Sequence, residues 1–169
     1  VIISAQAWES SFSAGTFDNE NNFMGGSEVL QLVSHKNKLF ASISYWQDES
    51  NIWYGGDNSN IGWSQVISLD SPNEDWSVDL DLNSYYLRPE ILKQVIFTKD
   101  MNGNNLLNPD TLLIVASYSS NFVFGPVTAS AFVRNDQNSS WNETTIFEGS
   151  LPAGESYSIR DMQIYTDQV

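Results

Sequence analysis

Apolar residues along this chain fall in short runs of four to eight, each closed by Gly, Asn, Asp or Pro. That is the pattern of β-strands joined by turns. Helical periodicity is nearly absent. The one stretch with a helical look, Tyr86 to Val95, contains Pro89 and ends in β-branched residues, so it reads as the beginning of a strand.

The same landmarks then return. Glu28-Val29-Leu30-Gln31 recurs as Glu90-Ile91-Leu92-Lys93, an offset of 62. Lys38-Leu39-Phe40 through Tyr45 recurs as Thr111-Leu112-Leu113 through Tyr118, an offset of 73. Val66-Ile67 through Trp76 recurs as Ala131-Phe132 through Trp141, an offset of 65. A recurrence of this kind marks a repeat architecture. The first two offsets differ by 11 residues, which the sequence assigns to a loop from Asp100 to Asp110.

Each unit reads as four strands. In the first they are Glu28 to Val33, Lys38 to Trp46, Ser64 to Leu69 and Trp76 to Leu82. In the second they are Glu90 to Thr98, Asp110 to Tyr118, Val127 to Arg134 and Trp141 to Phe147. A third unit begins at Ser158 to Tyr165. The apolar first strand (Val29, Leu30, Leu32, Val33) and the continuous run Leu112 to Ala116 fit inner strands. The alternation Ser77-Val78-Asp79-Leu80-Asp81-Leu82 fits an outer edge, with Asp79 and Asp81 together on a solvent face.

This pattern, from Gly25 to Val169, resembles the β-propellers, although the Trp-Asp, Asp-box and Kelch blade signatures are absent. The resemblance implies an all-β fold of four-stranded antiparallel blades: a lead-in over 1–26, a first blade over 27–83, a second over 84–150 and the start of a third over 151–169. A ring needs at least about four blades, so the expectation is a partial propeller, either a piece of a longer chain or one of several copies that close a ring together. The alternative architecture is an antiparallel β-sandwich.

Composition narrows the partners. Seven Lys and Arg stand against 21 Asp and Glu, a net charge of −14. Such a surface repels phosphate backbones and anionic membranes, so neither nucleic acid nor membrane insertion is expected. The chain has no cysteine, which removes disulfides and thiol chemistry. The sequons at Asn138 and Asn142 would carry glycans if the protein is secreted, and a secreted or cell-surface location is the expectation.

Three regions carry candidate chemistry. Trp46, Asp48, Trp53, Tyr54 and Asp57 follow a second strand, and aromatic rings beside acids and amides stack on sugars. Asp100, Asn102 and Asn104 alternate oxygen side chains around Gly103, as a calcium loop does, or as a hairpin turn does; calcium is the one cofactor to consider. His35, the single histidine, reads as a solvated turn residue. Trp76 and Trp141, equivalent by repeat, read as packing residues between blades. The expected function is a non-enzymatic extracellular binding or scaffold module that contacts glycan or protein through its loops. The alternatives are a propeller hydrolase or lyase using loop carboxylates with calcium, and a surface assembly or filament built from copies of the chain.

Overall fold

A computed structural model describes residues 9–44, 64–82, 86–119, 127–152, 155, 157–165 and 167. Among them there is no helix. The described strands are β1 (Thr16–Phe17), β2 (Phe23–Met24), β3 (Glu28–His35), β4 (Lys38–Ser44), β5 (Ser64–Leu69), β6 (Ser77–Asp81), β7 (Arg88–Lys99), β8 (Asn105–Tyr118), β9 (Val127–Asn135) and β10 (Ser140–Gly149). They form two four-stranded antiparallel sheets, β3-β4-β5-β6 and β7-β8-β9-β10, and a two-stranded hairpin β1-β2. Each large sheet is a meander of consecutive strands.

Local chemistry explains the corners. Lys36 and Asn37 have φ of 46° and 66°, the two-residue turn whose twist matches a hairpin. Gly26 holds φ of +74°, and a Cβ there would lie 2.9 Å from Ile43 Cβ, so the chain can enter β3 only with glycine. The second strands are buried on both faces along Phe40–Ser44 and Leu113–Ser117, as neighbours on both sides of a sheet require.

Two apolar layers result. Between the sheets, Phe40, Val66, Leu82 and Tyr86 meet Leu92, Leu113, Val115 and Phe132. On the other face of the first sheet, Ala41, Ile43, Ile67, Leu69 and Trp76 close around Met24, with Phe12 packed against them. The lead-in therefore covers one face of the first sheet while the second sheet covers the other.

The strand pairing revises the repeat offsets. Both first hairpins carry a bulge one pair in from the end, between Val29 and Gln31 and between Pro89 and Ile91. Matching the bulges sets Glu28 opposite Arg88, an offset of 60, and Ser44 opposite Tyr118, an offset of 74. An offset of 73 slides the second strand by one residue and puts each side chain on the wrong face. With 74, Phe40 corresponds to Ile114. The third and fourth strands keep 65, through Ile67 with Phe132 and Trp76 with Trp141. The extra residues near Asp100 lengthen β7 and β8 instead of forming a long loop: only Asp100–Asn104 lies between Lys99 and β8.

Four further expectations need correction. His35 is not solvated: it is 1% exposed, because its ring is folded under the second sheet. Asp79 does not face water with Asp81. It is the bulged residue of β6, since Val66 pairs with Leu80 and Ile67 with Val78, and the bulge turns its carboxylate onto Arg134. The first strand is not wholly inward, with Val29 46% and Leu32 59% exposed. Residues 157–165 form no regular strand; they lie along β7, where Lys93 Nζ donates to Asp161 Oδ1 at 3.2 Å and to the Met162 carbonyl at 2.8 Å.

Candidate functional site

Polar side chains converge where the two sheets face each other. Arg134, on β9, grips Asp79 through Nε and Nη2, both at 2.8 Å, and Asp136 through Nη1 at 2.6 Å. The paired carboxylates hold the guanidinium pKa above its ordinary value, with the Asp79 hydrogen bonds the main cause and burial opposing. Its Cζ lies 5.1 Å from the Phe40 ring centre, a cation–π distance. Asp136 also takes Lys36 Nζ at 2.8 Å and His35 Nε2 at 3.0 Å. Burial pushes the Asp136 carboxyl up, but the hydrogen bonds from Lys36, His35 and Arg134 outweigh it and hold the pKa at about 2. The other His35 nitrogen lies 3.1 Å from Gln94 Oε1. The β3–β4 turn is thus tied to β7 and to the β9–β10 turn at once. All these charges are answered inside the protein, so the seam is built to lock sheets together.

A second polar line runs along the first strands. Gln31, on β3, accepts the Leu92 N–H at 2.6 Å and donates to the Glu90 carbonyl at 3.3 Å. Glu28 meets Arg88 at 2.9 Å, Arg88 meets Glu90 at 3.7 Å, and Glu90 meets Arg160 at 3.2 Å.

A cleft of about 550 Å³ lies between the outer strands β6 and β10. Tyr86, Phe132 and Trp141 supply aromatic surface, and Asp81, Glu143 and Glu148 supply carboxylates. Tyr86 and Phe132 meet edge to face with centres 5.3 Å apart. The Tyr86 hydroxyl donates its one proton to Glu143 Oε1 and lies 2.9 Å from Ser130 Oγ. Ser130 Oγ in turn donates to Glu143 Oε1 at 2.8 Å. The Trp141 indole N–H donates to Asp79 Oδ2 at 2.8 Å, so Trp141 anchors one sheet on the other and walls the cleft.

Of the candidates read from the sequence, Trp46, Asp48, Trp53, Tyr54 and Asp57 lie outside the described residues. Asp100, Asn102 and Asn104 do come together, as a turn. Asp100 Oδ1 accepts the N–H groups of Asn102 at 2.9 Å and Asn104 at 2.8 Å, and Oδ2 accepts Asn104 Nδ2 at 3.1 Å. Those bonds, the Asn104 side chain first, hold the Asp100 carboxyl below its ordinary pKa. The same turn occurs at Asp18, whose carboxylate accepts the N–H groups of Glu20 and Asn22, the Asn22 amide and the Val78 N–H. Among the described residues no three His, Asp or Glu side chains cluster closely enough to hold a metal. Asn138 and Asn142 are both exposed, and Asn138 Oδ1 accepts Ser140 Oγ at 2.8 Å. The cleft residues were not read from the sequence, but a signal exists: at the offset of 65, Glu143 replaces Val78.

No protein-family model, curated protein or solved structure matches this chain.

Proposed function

We propose that this chain is a run of propeller-like blades acting as a non-enzymatic, extracellular binding or scaffold module for glycan or protein. The observation that carries this reading is the recurrence of cross-sheet contacts at a near-constant spacing. Gln31 reaches Glu90 and Leu92, His35 reaches Gln94, and Asp79 reaches Trp141, all 59 to 62 residues apart. The series begins again one unit later, where Lys93 reaches Asp161 and Met162, and Thr98 reaches Asp167, 68 to 69 residues apart. First strand beside first strand, and a fourth-strand Trp seated on the preceding sheet, is the relation that successive blades have around an axis. The two exposed sequons support an extracellular setting.

The full chain would be tested on glycan and protein arrays beside assays for glycoside, ester and uronide turnover. Saturable binding without turnover supports the reading; turnover of any of these substrates overturns its non-enzymatic part. A crystal structure in which no rotation about a common axis relates the two sheets overturns the blade reading.

A further inference from the structure

We propose that the cleft between β6 and β10 binds an organic cation, an alkylammonium or guanidinium group. The inference rests on the two described sheets and holds whether or not they belong to a ring. The cleft is rich in acceptors, and its donors are used internally. Of the described residues lining it, none is Lys, Arg, His, Asn or Gln. The Tyr86 hydroxyl donates to Glu143, and the Trp141 N–H to Asp79; the other side-chain donors among the described lining residues are the hydroxyls of Thr128 and Thr145. A sugar offers donors and acceptors together and would find few side-chain donors for its own acceptors here.

Glu143 is oriented for such a ligand. Both its hydrogen bonds, from Tyr86 and Ser130, fall on Oε1, and Oε2 takes none among the described residues. The carboxylates are too dispersed for a metal ion, which needs several oxygens at about 2.0–2.6 Å. A larger cation spans that spread, and Trp141, the one of the three aromatic side chains that is only partly buried, gives it a surface of the kind that attracts ammonium and guanidinium groups. The net charge of −14 draws cations toward the chain over longer range.

The cation could be a free amine or an Arg or Lys side chain of a partner, and the test separates them. Calorimetry at 150 mM salt would measure binding of agmatine, of a short arginine-containing peptide, and of the same peptide with citrulline in place of arginine. Agmatine or the arginine peptide binds and the citrulline peptide does not. The tighter of the two identifies the source. Glu143→Gln and Glu148→Gln each weaken binding on the order of tenfold, whereas Glu155→Gln, outside the cleft, leaves it unchanged. The Glu148 side chain carries no hydrogen bond to the fold among the described residues, so its variant stays folded. Absence of binding by both cations, equal binding of the arginine and citrulline peptides, or equal weakening by Glu155→Gln overturns the proposal.

Discussion

The two sheets share strand order, bulges and a Trp at the entry to the last strand, yet they treat equivalent positions differently. Trp76 is 5% exposed, its N–H donating to Ser11 Oγ at 3.3 Å, and Val78 beside it is apolar packing. Trp141 is only partly buried, its N–H spent on a carboxylate of the other sheet, and Glu143 stands where Val78 would be. The first sheet meets a short lead-in and closes against it; the second meets a whole sheet through an apolar layer and buried ions and leaves a cleft at the outer rim. Repetition here fixes the backbone, and the departures from it carry the chemistry.

The sharpest way to break the comparison is at the ion pair. Asp79→Ala leaves the Arg134 guanidinium buried without its bidentate partner, and unfolding in urea should show a loss of about 3–5 kcal/mol. The double change Asp79→Leu with Arg134→Met should recover most of it, because no buried charge is then left alone. If the single variant costs less than half of this, the seam is a set of surface contacts.

Acid probes the same seam. The Asp136 carboxyl is held at about 2 against an ordinary value of 3.8, so its contribution is complete above about pH 4 and is lost as the pH falls toward 2. The shift corresponds to about 2 kcal/mol. In Asp136→Asn, that slice of the stability–pH curve should flatten. A third test makes the sheets alike: Glu143→Val should lower stability by about 1 kcal/mol, as Tyr86 and Ser130 lose their acceptor, while abolishing cation binding. The smallest contrast is between the twin turns. Asp18→Ala should cost about 1 kcal/mol, since its carboxylate also holds the Val78 N–H of β6. Asp100→Ala, in an exposed turn, should lower the thermal midpoint by less.

Much of this fold was legible because strand burial writes itself into period-two patterns and turns into Asn and Gly. Ser64 to Leu69 was bounded to the residue, and seven other strands to within a few positions. The β1–β2 hairpin was missed because two-residue strands have no period. The second-strand offset was wrong by one because Leu-Leu-Ile-Val aligns equally well in either register; only the bulges at Leu30 and Glu90 decide it. His35 and Asp79 were misplaced because a turn or edge residue becomes buried only when another sheet arrives, and that event leaves no local mark. Glu143 was readable in principle as an acid at an apolar repeat position.

Because each sheet uses only neighbouring strands, its pairings close over short stretches of chain. Such local closure is entropically cheap and fast. During synthesis, the first meander is complete once Asp81 has left the ribosome, with the lead-in already available to cover one face. Its other face, and the Asp79 carboxylate, then stay hydrated until Arg134 emerges. Since domains fold from the N-terminus at about 5–20 residues per second, the nascent chain passes through a stage of several seconds with one sheet formed and one face bare. On that face Phe40, Val66 and Leu82 stand bare beside the Asp79 carboxylate, whose hydration opposes contact with a neighbouring nascent chain.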